Sequence, residues 1–333
     1  MGLQERNFEE QTMVKPLKPG HQHNRPNKNR NSRFQSIKKS FARNWQLYAF
    51  LLPTLLYFLI FHYVPMYGVQ IAFKEYFANL GIVGSPWIGL ENFKQFFNSY
   101  YVWRLIKNTL ILNAYMLVLF PLPIVFALSL NELRNGWFKK WTQTLTYAPH
   151  FISVVVVVGM MVAFLDPKTG LVNHVLDLFG KDSVPFLTSP DWFRHNFVWS
   201  GQWETLGWNT IIYLAALAGV NPELHEAAKV DGASRMQRIL HINVPSITPT
   251  IVILFILNMG QFMQIGFEKV LLMQNNLNSE TSDIIQTFVY ETGILEGRYS
   301  YAAAIGLFES IVNIVLLIAV NQIARKVSEN SLW

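Results

Sequence analysis

Cysteine is absent from this chain of 333 residues, which excludes disulfide bonds, thiolate metal sites and a cysteine nucleophile. No G-x-x-x-x-G-K-[ST] run occurs, so we expect no P-loop and no nucleotide bound by this chain. The eight His residues are scattered, and neither H-E-x-x-H nor another clustered ligand spacing appears. The sequence therefore predicts no catalytic residue, no metal site and no cofactor of its own.

Charge is the second scarcity. Only 14% of the residues are charged and 51% are hydrophobic, whereas soluble domains have about 25% charged residues. An integral membrane protein is therefore expected. A helix needs about 20 apolar residues to cross a bilayer, and six segments approach that length. We predict an all-α polytopic membrane bundle of six transmembrane helices: Leu47–Val64, Leu105–Leu130, Leu145–Leu165, Phe197–Val220, Ile247–Ile265 and Ala302–Ile323.

The basic residues are unevenly distributed along the chain. Residues 1–44 hold ten of the 27 Lys and Arg residues and few apolar groups, so we predict a disordered basic tail followed by a membrane domain over residues 45–333. With the tail in the cytoplasm, about two thirds of all Lys and Arg fall on the cytoplasmic side. This asymmetry predicts a multi-pass protein with both termini in the cytoplasm.

A charged stretch, residues 221–245, separates the fourth and fifth apolar segments. Asn221 and Pro222 are a favourable helix start, and Gly232 can bend the chain because it lacks a Cβ. A second short helix is predicted from about Ser234 to Asn243, ended by Pro245. The small residues beside Glu226 would let another backbone approach closely, and an arginine could bind the carboxylate with two hydrogen bonds.

The run EAAKVDG at residues 226–232, followed by INVP at 242–245, resembles the EAA loop of ABC importer permeases. Val244 stands where that family usually has Leu. The resemblance implies that the loop docks into a cleft of an ATPase subunit, with its glutamate facing a basic residue there. The alternative is a connector helix that is amphipathic because it lies at the membrane surface. We assign docking to Glu226, Ala227, Ala228, Asp231, Gly232 and Arg235.

The resemblance extends over most of the chain. Segments such as FHYVPMYGVQIAFKEY, GSPWIGLENFKQFF and YSYAAAIGLFESIVN are similar to polysaccharide and oligosaccharide permeases of the carbohydrate uptake branch, in a subset found in Gram-positive bacteria. That family implies the MetI-like fold in a bacterial plasma membrane. It also implies a second homologous permease, an ATPase dimer that holds ATP and Mg, and an extracellular lipid-anchored solute-binding protein.

A sugar path needs polar side chains for hydroxyl groups and apolar faces for ring C–H groups. In related sugar permeases the fourth and fifth helices carry most sugar contacts, and polar residues here recur at helical spacing. The competing role is hydrogen bonding between helices. The residues assigned to the path are Gln202, Thr205, Trp208 and Asn209 on the fourth segment, and Asn258, Gln261, Phe262 and Ile265 on the fifth.

Two carboxylates fall within apolar segments, Glu204 and Glu309. A proton-coupled transporter would use such groups as relays, but Glu309 could instead pair with Asn313 one turn further on. The function we expect is import of an oligosaccharide driven by the ATPase of a partner subunit. The alternatives are the same machine with peptides or amino acids as cargo, and an ion-coupled secondary transporter that acts alone.

Overall fold

The structure is a computed structural model that describes residues 43–327. The predicted tail therefore lies outside the described residues except for its last two. In the described part the regular structure is helical, with one isolated antiparallel bridge between Lys74 and Trp87. The predicted all-α class is confirmed. The chain divides into two units, residues 1–66 and 67–333.

The described part of the first unit, residues 43–66, contains one long apolar helix with a wide turn at its end. Helix α1 contains Pro53, and none of its side chains is buried within the structure. A helix that is hydrophobic all round is typical of a membrane span. The elements are α1 (Trp45–Phe58), a π-helical turn (Leu59–Tyr63) and α2 (Val64–Met66).

The second unit contains the remaining helices, in an order that alternates long segments with short connecting ones. A 3₁₀ segment, Tyr67–Phe73, opens the unit, and another, Ala148–Phe151, links two of its helices. The α-helices are α3 (Gly81–Gly84), α4 (Glu91–Phe97), α5 (Val102–Val118), α6 (Leu122–Glu132), α7 (Trp137–Tyr147), α8 (Val154–Leu165), α9 (Leu171–Leu178), α10 (Pro190–Ala218), α11 (Pro222–Val230), α12 (Arg235–Arg238), α13 (Val244–Met259), α14 (Phe267–Met273), α15 (Ser279–Ser282), α16 (Ile285–Tyr290) and α17 (Tyr299–Val327), with π-helical turns at Ile239–Asn243 and Glu291–Leu295.

Within residues 43–327, four helical stretches are long and apolar enough to cross a membrane. A fifth would result if the pair Trp137–Phe151 and Val154–Leu165, bent by 103°, forms one span. The predicted segment Phe197–Val220 overlaps α10 up to Ala218; this helix has 29 residues but is not among the apolar stretches. The count of six therefore stays a prediction. The four stretches are Trp45–Phe73, Val102–Glu132, Arg235–Met259 and Tyr299–Lys326.

Helix α10 links two of the three hydrophobic clusters of the second unit. Near its start, Phe193 and Phe197 pack with side chains of α8. Near its end, Tyr213 and Leu217 pack with residues of α6 and with Ile247 at the start of α13. The middle of α10 is thereby held between two packed ends, and three of its polar side chains, Gln202, Thr205 and Asn209, line a cavity.

The helix after the charged stretch begins earlier than the sequence predicts. Pro245 does not end it, because the chain stays helical from Arg235 to Met259. A proline lacks the N–H that a regular helix needs. The π-helical turn Ile239–Asn243, closed by a hydrogen bond from Val244 N to Ile239 O, comes directly before this proline. In this wider turn each hydrogen bond spans five residues instead of four, and this change of spacing accommodates the proline.

Candidate docking loop and polar cavity

The loop after α10 is a helix, a bend and a second helix, as predicted. Asn221 Oδ1 accepts a hydrogen bond of 3.0 Å from Glu223 N and caps α11. Gly232 has a φ of +76°, a left-handed conformation that favours glycine. Its N–H donates to Lys229 O, and Ala233 N donates to Ala228 O. This pair of bonds is the Schellman motif, which fixes how α11 ends.

The start of the second helix is fixed just as firmly. Ser234 and Gln237 form a capping box, in which each side chain bonds to the other residue's backbone. Arg238 donates to Ala233 O at 2.9 Å and so ties the bend to α12. The loop, residues 221–238, is therefore a rigid helix–bend–helix element and not an irregular linker. It is called the elbow below.

The side chains that the sequence assigns to docking lie on the exposed side of this elbow. Glu226, Asp231 and Arg235 are exposed, and none of them forms an ion pair with another described residue. Gly232 and Ala227 are also exposed, and Ala228 is half-buried. The carboxylate of Glu226 is thus available to a partner.

Sequence reasoning missed the apolar part of the same surface. Val230 is 88% exposed, and Leu224 and Met236 are also largely exposed. Large apolar side chains on a charged loop expose apolar surface that association with another molecule would remove from water. Their occurrence within a hydrophilic stretch is the signal that would have identified them.

A polar cavity of about 570 Å³ lies between α10 and the end of α13. It contains five of the eight residues assigned to the substrate path. The side chains of Asn209, Asn258 and Gln261 make no hydrogen bond within the described structure, and Gln202 Oε1 is buried without a partner. Thr205 Oγ1 donates to Gly201 O and keeps its acceptor positions. The cavity therefore offers donors and acceptors that are not used by the fold.

The other three assigned residues lie elsewhere. Trp208 points toward the Ala148–Phe151 segment and not into the cavity. It stacks on His150 with 4.3 Å between the ring centroids. Phe262 and Ile265 pack in hydrophobic clusters. Helix α13 ends at Met259, so the predicted helical face does not continue beyond it.

A turn after α13 causes the difference for Phe262 and Ile265. Gly260 comes close to Leu317, and Met263 N donates to Asn313 Oδ1 at 2.8 Å. These contacts rotate Phe262 into the core while Gln261 stays at the cavity. Asn113 and Gln264 also line the cavity and were not predicted. An amide within the apolar segment Leu105–Leu130 was the available signal for Asn113.

The two membrane carboxylates have partners that sequence reasoning did not identify. Glu309 accepts a hydrogen bond of 3.2 Å from Gln286 Nε2, and the suggested partner Asn313 binds the backbone of Met263 instead. Glu204 forms an ion pair with Lys269 at 3.4 Å. Neither arrangement is a chain of titratable groups, and no group of three or more metal-binding side chains occurs in residues 43–327.

An exposed, rigid elbow thus connects the two helices that line a polar cavity in a helical membrane protein. This arrangement is that of a transport permease. The family described as "Binding-protein-dependent transport system inner membrane component" matches residues 103–329, and the chain belongs to this family. It is a multi-pass membrane protein and the transport component of an ABC importer. It is not an enzyme, since ATP hydrolysis belongs to a separate ATPase subunit.

Several relatives are similar over nearly their whole length. Protein LplB of Bacillus subtilis (strain 168) is 45% identical over 295 residues, which are 88% of this chain and 93% of the relative. The polygalacturonan/rhamnogalacturonan transport system permease protein YteP of the same organism is 44% identical, over 86% of this chain and 90% of that protein. A crystal structure of a bacterial ABC transporter involved in the import of the acidic polysaccharide alginate aligns with a TM-score of 0.82. It has 42% identity and covers 88% of this chain and 99% of that one.

Proposed function

We propose that this chain is a permease subunit of an ATP-driven importer for an oligosaccharide or a polysaccharide fragment. The observation that carries the proposal is the cavity between α10 and α13, whose wall presents free amide groups. Amides can donate and accept, so they suit hydroxyl groups that do both. The names of YteP and of the alginate transporter support a carbohydrate as the cargo.

Energy would enter at the elbow between α10 and α13. Glu226 would pair with a basic residue of the ATPase, and Ala227, Ala228 and Gly232 would allow close backbone approach. Asp231 and Arg235 would add charged contacts at the bend, while Val230 would contribute apolar area. ATP and Mg would be held by the ATPase dimer, outside this chain.

The remaining partners follow from the same assignment. A second homologous permease would supply the other half of the path, and a solute-binding protein would deliver the sugar on the outer side. A structurally similar bacterial alginate ABC transporter has been crystallised in complex with a periplasmic protein that holds an alginate pentasaccharide. With the elbow and both termini in the cytoplasm of a bacterial plasma membrane, residues 166–196 would face the binding protein.

The test is reconstitution of the complete importer, with both permeases, the ATPase and the binding protein, in proteoliposomes. We expect uptake of an oligosaccharide that requires ATP and the liganded binding protein. Two results would overturn the proposal. One is that the complete importer takes up peptides and no oligosaccharide, and the other is that this chain takes up the substrate without the ATPase. As a control, replacement of Gln202 and Asn258 by Leu should lower uptake while the variant complex still assembles.

A further inference from the structure

A second cavity of about 500 Å³ adjoins the polar cavity and contains a buried cation. The two cavities share Gln202, Thr205 and Gly266 on their walls. Helix α14 contributes Lys269, whose side chain is only 8% exposed. This ammonium lies at the end of the path that is farther along α10 from the elbow, where a substrate from the outer side would arrive first.

The surroundings of Lys269 leave much of its hydrogen-bonding capacity unused. Its Nζ lies 3.4 Å from Glu204 Oε2 and 5.7 Å from the ring centroid of Phe197. An ammonium has three N–H donors, and in the described structure this one makes a single hydrogen bond. Charge-assisted bonds are usually about 2.7–2.9 Å long, so the bond to Glu204 is a weak one.

The charge is also poorly compensated by its neighbourhood. Burial lowers the pKa of Lys269, and the nearby carboxylate of Glu204 offsets this only in part. Lys269 is the sole basic residue among those that line the two cavities in residues 43–327, and Glu268 is the other acidic one besides Glu204. The side chain of Glu268 is exposed, so water can solvate its charge.

We propose that Lys269 selects for the carboxylate group of a uronate residue in the transported oligosaccharide, with Glu204 as its counter-ion while the cavity is empty. This inference rests on the proposed function and narrows its substrate class to acidic oligosaccharides. The arriving carboxylate accepts hydrogen bonds from the N–H groups that Glu204 leaves free, so the ammonium keeps a carboxylate beside it before, during and after passage. The neutral amides of the adjoining cavity then bind the hydroxyl groups of the same sugar.

A weak resting ion pair suits a transport path better than a strong one. Binding along such a path must be favourable enough for entry and weak enough for release. A bidentate arginine at this position would hold a carboxylate more tightly. A lysine shared between Glu204 and the substrate gives selectivity, and Glu204 competes for the ammonium when the sugar moves on.

The alternative is that the pair merely fastens α14 to α10. The experiment therefore compares acidic and neutral sugars in the reconstituted importer, with the ATPase rate measured at saturating liganded binding protein. The probes are trisaccharides of galacturonate and mannuronate and the neutral trisaccharides of galactose and mannose. Lys269→Gln should lower stimulation by the acidic trisaccharides about tenfold or more and leave any stimulation by the neutral ones within about twofold. Lys140→Gln, at an exposed lysine of α7 outside the cavities, is the matched control and should change neither.

Glu204→Gln gives an independent readout. Without its competing carboxylate, Lys269 should bind the acidic trisaccharides more tightly. In a titration of the liganded binding protein, the concentration that gives half of the maximal ATPase rate should therefore fall severalfold. Equal loss with acidic and neutral sugars in both variants would show a fastening role and overturn the inference. Stimulation of the unaltered importer by neutral sugars alone would also overturn it, yet would leave the proposed function standing. If no carbohydrate stimulates the importer, the proposed function itself fails.

Discussion

Gly207 of α10 packs directly against the backbone of α7, and an alanine there should separate the two helices. A Cβ built at Gly207 would lie 2.1 Å from Thr146 O and 2.5 Å from the carbonyl carbon of Thr146. Real Cβ atoms essentially never come within 3.0 Å of such atoms. Helix α7 and helix α10 would therefore have to move apart by about 1 Å, since a backbone carbonyl cannot rotate away as a side chain can.

The magnitude follows from two opposing effects. Overpacking a tight contact costs about 1–3 kcal/mol, and a backbone obstacle places this site near the upper end. Alanine regains about 1 kcal/mol of helix propensity relative to glycine. The net loss for Gly207→Ala is thus about 2 kcal/mol, which for a chain of this size corresponds to a fall in Tm of about 3 °C.

The assay is thermal unfolding of the detergent-solubilised importer, followed by tryptophan fluorescence at one fixed heating rate because such transitions are commonly irreversible. Gly159→Ala in α8 is the matched control, since no atom lies within 4 Å of its new Cβ. That variant should melt at or above the Tm of the unaltered protein. An unchanged or raised Tm for Gly207→Ala would refute the reasoning. Reduced sugar uptake should accompany the lower Tm, because the same crossing positions the cavity side of α10.

Three further predictions concern the elbow and the outer segments. Glu226→Ala should weaken recovery of the ATPase in a pull-down about tenfold or more, whereas Glu223→Ala, on the same helix, should not; equal recovery in both would contradict the docking role. Asn243 is fully buried with neither side-chain polar atom bonded, so Asn243→Leu should raise stability by about 1 kcal/mol or more, and a lower Tm would show that the amide has a partner in the assembled importer. Burial, and then the charge of Asp283, raise the pKa of Glu291. Folding therefore favours the protonated carboxyl group. The stability that this group contributes is present at acidic pH and is lost as pH rises above about 4.3. The Tm of Glu291→Gln should accordingly exceed that of the unaltered protein at pH 8 and approach it at pH 5, and the reverse order would sink this assignment.

Local chemistry made the elbow predictable from sequence. The cap at Asn221, the left-handed Gly232 and the second helix from Ser234 each depend on residues within a few positions of one another. The prediction that Pro245 ends the second helix was wrong, although a proline usually does end a helix. A π-helical turn supplied an alternative backbone that no pattern of apolar residues indicates.

Helical periodicity predicted the cavity only in part, because Trp208 of the same unbroken helix stacks on His150 instead, and Gln261 lines the cavity although it follows the end of α13. Gln202, Thr205 and Asn209 lie on one face of an unbroken helix and reach one cavity, as their spacing indicates. Beyond Met259 the chain turns, and the bond to Asn313, 50 residues away, decides where each side chain points. Likewise Lys269 meets Glu204 across 65 residues of sequence, so no local spacing could have paired them.

The connection between elbow and cavity is short on both sides. Helix α10 ends at Ala218 and α11 begins at Pro222, so few residues separate the cavity wall from α11. On the other side the chain is helical without interruption from Arg235 to Met259, and Asn258 at its far end lines the same cavity. A helix transmits displacement along its axis because its backbone hydrogen bonds resist extension. A force applied at Glu226 would therefore reach both walls of the cavity through helices, and the π-helical turn at Ile239–Asn243, with its unbonded buried amide, is the least regular point at which that motion could bend.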